Sequence, residues 1–203
     1  MRSLFRLDSI KMLTKLSPYV CIFLEEASKL FDMLHMYIYT MGECSYALEM
    51  ARLLDPGEKY SGSKVIARED CTRSYQKGLD VVLGKESVVL ILDDRTEVWA
   101  KHKENLIVME RYNFFALSRG QLGFDRKSLS ELKSETNRAM PLASTLDVLK
   151  QIHIMYLFDS GPAGANLTDR DVREMLRKYW KSCSTRPSES LTRPRKNRLS
   201  RGY

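Results

Sequence analysis

The chain has 203 residues, 43% hydrophobic and 29% charged, the balance of an ordinary globular domain with room for one sizeable core. Its formal charge of +7 is concentrated at one end. Residues 181–203 hold seven Lys/Arg against one acid, while the other 180 hold 26 against 25, so composition excludes a body built around a polyanion.

The N-terminal residues 1–16 are short, basic and amphipathic, and lack the apolar core of a signal peptide. Ser17-Pro18 predicts a helix start, with Ser17 as N-cap and Pro18 in the first helical position. Val20, Phe23, Leu24, Ala27, Leu30 and Phe31 then recur at helical spacing. The aromatic and β-branched stretch His35 to Thr40 predicts a strand ending at Thr40-Met41-Gly42. A helix follows over Glu43 to Leu54, stopped by Asp55-Pro56-Gly57. A short strand is expected at Lys64 to Ala67, inside a polar loop region, and one or two helical turns over Lys77 to Leu83, ended by Gly84. Asn105 to Met109 predicts another strand, and residues 110–140 a mixture of loop and short helix. Leu142, Leu146, Leu149, Ile152 and Tyr156 mark an amphipathic helix, and Gly161-Pro162-Ala163-Gly164 a linker. Thr168 to Asp171 has the form of a capping box before a last helix carrying Val172, Met175, Leu176 and Tyr179. Beyond Ser182, a tail rich in Ser, Thr, Pro and Arg is expected to be disordered. Helices alternating with short buried strands predict an α/β fold.

The stretch around which the chemistry gathers is SVVLILDDRTEVW, Ser87 to Trp99. Ser87 to Leu92 is an almost unbroken apolar run, the signature of a parallel strand buried on both faces. Asp93 and Asp94 follow at its carboxyl end, where open α/β sheets bind ligands. Paired carboxylates there are costly unless they hold a metal, a cation or a substrate. The plainer alternative is that Asp93 caps the next element and Asp94 is solvated. Thr40 ends another strand and Lys77 opens the segment before this one. A hydroxyl, an ammonium and two carboxylates at strand tips suit a phosphate monoester with Mg²⁺. No GxxxxGK[ST] or GxGxxG loop accompanies them. Cys21, Cys44, Cys71 and Cys183 show no zinc-ligand spacing, and free thiols without an export signal point to the cytosol or nucleus. His35, His102 and His153 are read as structural or surface residues, and the basic run from Arg193 to Arg198, with Arg201, as a solvated tail or a nuclear-import or nucleic-acid patch.

The sequence resembles the plant members of the RNA polymerase II C-terminal-domain phosphatases, the FCP-like branch of the haloacid dehalogenase superfamily. The likeness runs from about Leu4 to about Arg177. It is carried by MLTKLSPYVCIFLEEASKLFDML, YIYTMGECSYALEMARLLDP, KVIARED, QKGLDVVLGKESVVLILDD, VWAKHKENLIVMERYNFFALSRGQLGF and KSLSELKSE. It implies a Rossmann-like fold with a parallel central sheet flanked by helices. It also implies roles for the strand-tip residues: Thr40 on the phosphoryl group, Lys77 as the phosphate-binding lysine, and Asp93 and Asp94 as the metal-holding pair, Asp94 the direct Mg²⁺ ligand. The implied reaction is hydrolysis of phosphoserine or phosphothreonine in the polymerase's C-terminal repeats, through an aspartyl-phosphate. The implied partners are that phosphorylated tail and transcription factors, in the nucleus, with no membrane and no sequence-specific nucleic-acid contact.

The family's nucleophile motif, DxDxT, does not occur in the 203 residues. Asp8 in FRLDSIKML has no acid two positions on. The expectation is therefore an incomplete fold without the nucleophile strand. Residues 1–160 form a partial phosphatase domain, 161–182 a linker and C-terminal helix, and 183–203 a disordered basic tail. Ser17 stands where the family has Arg, DMLHMYIYT carries a few extra residues, and the sequence after Arg177 departs from the expected run toward a BRCT domain, like a truncated or frame-shifted end. Three readings follow: an active phosphatase, a phosphopeptide- or polymerase-binding remnant without turnover, or a non-functional fragment.

Overall fold

The structure, a computed structural model, describes residues 3–30, 36–115, 140–158 and 170–185. In chain order its elements are β1 (Leu4–Leu7), β2 (Met12–Lys15), α1 (Val20–Leu30), β3 (Ile38–Tyr39), α2 (Cys44–Leu54), β4 (Val65–Ile66), β5 (Ile91–Asp93), β6 (Leu106–Val108), α3 (Met140–Phe158) and α4 (Val172–Thr185). The N-terminal stretch, left unassigned by periodicity, forms an antiparallel hairpin over 4–15, with Leu4 opposite Lys15 and Leu7 opposite Met12. β3 runs parallel to β4, and β5 parallel to β6. The fold is α/β with parallel strands and helices, as expected. Among the described residues the parallel strands form two separate pairs rather than one continuous sheet.

β5 is buried on both faces, as its composition requires. Ile91 and its partner Leu106 pack with Leu79, Val98 and Trp99. Leu92 and its partner Ile107 turn the other way, toward Phe23 and Ala27 of α1, Leu142, Leu146, Leu149 and Ile152 of α3, and Met175 and Leu176 of α4. Each such side chain contributes on the order of 1.5–3 kcal/mol by leaving water. One ladder thus ties three helices to a second, smaller core, and it carries Asp93 at its end.

Several elements are shorter than periodicity predicts. Glu86–Val88 is a 3-10 turn, so the apolar run from Ser87 enters the ladder only at Ile91. Asn105, 1% exposed, holds that turn: its Nδ2 donates to the carbonyls of Glu86 at 2.7 Å and Val89 at 2.9 Å. Replacing Asn105 with alanine strands two carbonyls and should cost about 2–3 kcal/mol, read by urea denaturation; a loss below about 0.5 kcal/mol would contradict this role. Lys77 to Leu83 makes no helix. Its amides go to tertiary partners instead: Lys77 N to Val98 O at 2.8 Å, Gly78 N to the Tyr39 hydroxyl at 3.1 Å, and Leu79 N to His102 Nε2 at 3.4 Å. A Cβ on Gly78 would lie 2.1 Å from Asp80 Oδ1, so a larger residue there requires the Asp80 side chain to turn away.

The helix ends also differ. α1 starts at Val20 because Tyr19 takes a left-handed backbone (φ 71°), and Ser17 Oγ donates to Pro18 O instead of capping an amide. α2 does stop at Asp55, whose buried carboxylate accepts the amides of Lys59, Tyr60 and Ser61 and the Ser61 hydroxyl. Burial pushes that carboxyl up, and the four donors pull it net below its ordinary value. Asp171 sits at the head of α4, accepting Arg173 N at 2.9 Å; Thr168 and Asp169 of the expected capping box lie outside the described residues. α4 runs through Thr185, past Ser182. The strand start at His35, the segment 116–139, the linker 161–164 and the tail beyond 185 lie outside the described residues. The described cysteines are free, as expected, and no helix among the described residues is long and apolar enough to cross a membrane.

Candidate active site

The two strand pairs meet at their carboxyl ends, and one side chain joins them. Lys77 Nζ donates to the Tyr39 carbonyl at the end of β3 (3.0 Å) and to Asp93 Oδ2 at the end of β5 (2.6 Å). Both ionic side chains are buried, Lys77 8% exposed and Asp93 10%. The Tyr39 and Trp99 rings meet edge to face at 5.3 Å, and the ammonium lies 5.2 Å and 5.4 Å from their centroids, a cation–π arrangement with the cation largely shielded from water.

Asp93 is fully engaged. Besides Lys77 it accepts Trp99 Nε1 at 2.9 Å and the Arg95 amide at 2.9 Å. Burial pushes its carboxyl up, but the Lys77 hydrogen bond and charge, the indole and the amide together hold it below its ordinary value. Asp93 is therefore an anion that anchors the lysine. Of the plainer alternative, the amide bond to Arg95 is present, but it is one contact among several. Asp94 is not simply solvated either, because the Arg111 guanidinium pairs with it.

Thr40 follows β3 and holds its place through its own backbone: its amide donates to Ile66 O at 2.9 Å, and its hydroxyl accepts the Gly42 amide at 3.0 Å. Because Oγ1 accepts there, its hydrogen can donate outward. Thr40, Lys77, Asp93 and Asp94 all line one cavity of about 450 Å³. Val20, Leu92, Met109, Pro141 and Leu142 supply its apolar wall, and Ser17, Glu110, Arg111 and Tyr112 much of the rest. The four residues singled out from strand-tip chemistry, far apart in sequence, are thus brought together.

Whether these residues suit a divalent cation turns on the donor set. Among the described residues no three His, Cys, Asp or Glu cluster into a metal cage. Magnesium, however, commonly takes one or two carboxylates and completes its shell with water and phosphate oxygens. Asp93 already accepts Lys77 and Trp99 on Oδ2 and the Arg95 amide on Oδ1, and its charge is neutralised by the buried ammonium. Asp94 and Glu110 are the other carboxylates on the cavity wall; Asp94, at the end of β5 beside Asp93, fits as a single direct ligand.

Three contributors escape a reading of the sequence. Tyr39 gives a carbonyl to Lys77 and a hydroxyl to Gly78; burial raises the pKa of that phenol, so it stays protonated. Trp99 donates to Asp93. Arg111 reaches Asp94 because β6 lies parallel to β5, with Met109 N on Asp93 O at 2.9 Å, so the residues after β6 run beside the aspartates. The usable signal was the second apolar run, Asn105 to Met109, whose carboxyl end must abut the first if the two strands pair in parallel.

The site thus combines, on an α/β fold, a buried lysine–aspartate pair, a threonine and a second aspartate at the carboxyl ends of parallel strands. The chain belongs to the family of NLI interacting factor-like phosphatases, whose sequence profile matches residues 3–137. It is 52% identical over 180 residues to "RNA polymerase II C-terminal domain phosphatase-like 4" of Arabidopsis thaliana, covering 88% of this chain and 40% of that protein. It is 40% identical over 184 residues to the phosphatase-like 3 protein of the same plant, covering 86% of this chain and 14% of that one. The chain therefore spans well under half the length of these relatives. The solved structure of Fcp1, an essential RNA polymerase II CTD phosphatase, superposes with a TM-score of 0.62 at 24% identity, covering 86% of this chain and 59% of that one, a likeness of fold.

Proposed function

We propose that this domain binds a phosphorylated serine or threonine of the RNA polymerase II C-terminal repeats and forms the phosphate-holding half of a protein-serine/threonine phosphatase site. The observation that carries the reading is the buried Lys77–Asp93 pair, in one cavity with Thr40 and Asp94 at the carboxyl ends of β3 and β5. In this reading Lys77 offers its remaining N–H to a phosphoryl oxygen. Asp93 keeps the ammonium charged and aimed. The Thr40 hydroxyl donates to a second oxygen, and the apolar wall takes the adjoining peptide. Asp94 would hold Mg²⁺, which when bound neutralises phosphoryl charge.

Turnover needs a free carboxylate in line with the phosphorus. Asp93 and Asp94 are each ion-paired, and no DxDxT occurs in the 203 residues. We therefore read these residues as a binding site without turnover; the relatives' names, C-terminal domain phosphatases of RNA polymerase II, support action on the polymerase tail for the longer protein, and we extend that reading to the nucleus, with transcription factors as partners. Residues 1–160 carry the phosphatase-domain portion, 161–182 a linker and helix, and 183–203 a basic tail.

Fluorescence polarisation tests the binding reading with a phosphoserine repeat peptide and its unphosphorylated form, with Mg²⁺ present. The phosphorylated peptide should bind roughly tenfold tighter or more, and Asp94→Asn should remove most of that preference. Equal affinity for the two peptides would end the proposal.

A further inference from the structure

Arg111 lies three residues beyond β6, and its Nε donates to Asp94 Oδ2. Both side chains are partly exposed, 32% and 30%, and both line the cavity. Asp93 is paired with Lys77 and also accepts Trp99 and Arg95, so of the two strand-tip carboxylates Asp94 is the one left to a metal, and a cation already holds it. The guanidinium is always charged, and its planar fork matches a carboxylate well.

We infer that Arg111 is a latch on Asp94: a divalent cation enters this site only by displacing the guanidinium. The inference rests on the reading of Asp94 as the direct metal ligand. The Arg111 N–H occupies a lone pair of Asp94 Oδ2, and two cations in contact with one carboxylate repel each other. Metal uptake is then an exchange of one cation for another, and the site takes up Mg²⁺ or Mn²⁺ more weakly than an unpaired aspartate in the same place. The displaced guanidinium remains on the cavity wall, where it pairs with phosphoryl oxygens as readily as with a carboxylate. Arg111 is thereby a positioning residue that keeps Asp94 neutralised until metal and phosphate arrive.

The test is an Mn²⁺ titration, followed by electron paramagnetic resonance of the free ion, on the full 203-residue chain, Arg111→Gln and the double variant Arg111→Gln/Asp94→Asn. Arg111→Gln should bind Mn²⁺ roughly tenfold tighter than the unaltered chain, and the double variant should lose that gain. Equal affinity in the unaltered chain and Arg111→Gln, lost on replacing Asp94, would overturn the latch and leave Asp94 a metal ligand. No Mn²⁺ binding in any form would overturn both. Should Arg111→Gln not fold, the unaltered chain still decides. Its Arg111 Nε–H resonance in ¹⁵N NMR should shift on Mg²⁺ saturation, and a resonance that stays fixed would overturn the exchange.

Discussion

Replacing Lys77 with methionine should cost about 3–5 kcal/mol of stability and remove the preference for phosphorylated peptide. The side chain is 8% exposed, and it is the bond between the two strand pairs: without it Tyr39 O and Asp93 lose their shared donor. Methionine fills the volume, so the loss reflects an unpaired buried carboxylate rather than a cavity. The pH dependence separates these causes. In the unaltered chain the folded Asp93 pKa lies below its ordinary 3.8. The stability it contributes is therefore fully present above about pH 4 and is lost as the pH falls through the lower folded value. Without Lys77, burial, which already pushes the carboxyl up, loses its main counterweight, and the folded pKa rises above the unfolded one. Ionised Asp93 then destabilises the fold at neutral pH, and protonation relieves it. The stability gap between variant and unaltered chain should accordingly narrow as the pH falls from 7 toward the raised folded pKa, and be smaller at pH 5 than at pH 7 if that value is reached. Urea denaturation at both pH values reads this directly. A gap below about 1 kcal/mol at pH 7, or one that widens toward pH 5, would contradict the role assigned to the pair.

Leu146→Ala should cost about 3 kcal/mol, within the 2–5 kcal/mol range for a buried leucine, and lower the thermal midpoint by roughly 10 °C. Leu146 is 2% exposed, in the cluster where α1, α3 and α4 close over Ile107 of β6. The cavity is walled by Pro141 and Leu142, about one turn away on the same helix, so peptide affinity measured well below the new midpoint should stay within about twofold. Lys77→Met and Leu146→Ala are thus comparable in stability and opposite in binding. A large loss of affinity in Leu146→Ala would mean that the wall, not the polar cluster, dominates recognition.

The strand-tip chemistry was legible because it depends on order along the chain. An apolar run from Val88 to Leu92 must be buried, and acids that follow at once must emerge at its carboxyl end. Thr40 could be placed by the same argument, since β3 is a short aromatic strand that stops at a hydroxyl and a glycine. Lys77 was legible only through its company, because a lone lysine says nothing. What stayed hidden depends on partners distant in sequence. Trp99 reads as a core residue until its indole N–H is seen on Asp93. Arg111 reads as a loop residue until the parallel register of β5 and β6 brings it to Asp94. Lys77 to Leu83 has helical composition, but its amides are taken by Val98, Tyr39 and His102, contacts that no local pattern records. The separation of the parallel strands into two pairs likewise reflects which strands adjoin, something hydrophobic pattern alone does not encode.

The central claim is that these residues hold a phosphate without cleaving it. The most direct measurement is Mg²⁺-dependent release of inorganic phosphate from a phosphoserine repeat peptide by the purified 203-residue chain, with Asp94→Asn alongside and peptide binding monitored in the same samples. The account predicts saturable binding of the phosphopeptide with no release above the rate of the peptide alone. Release that disappears in Asp94→Asn would show that a carboxylate of this chain acts as the nucleophile, and the account would be wrong.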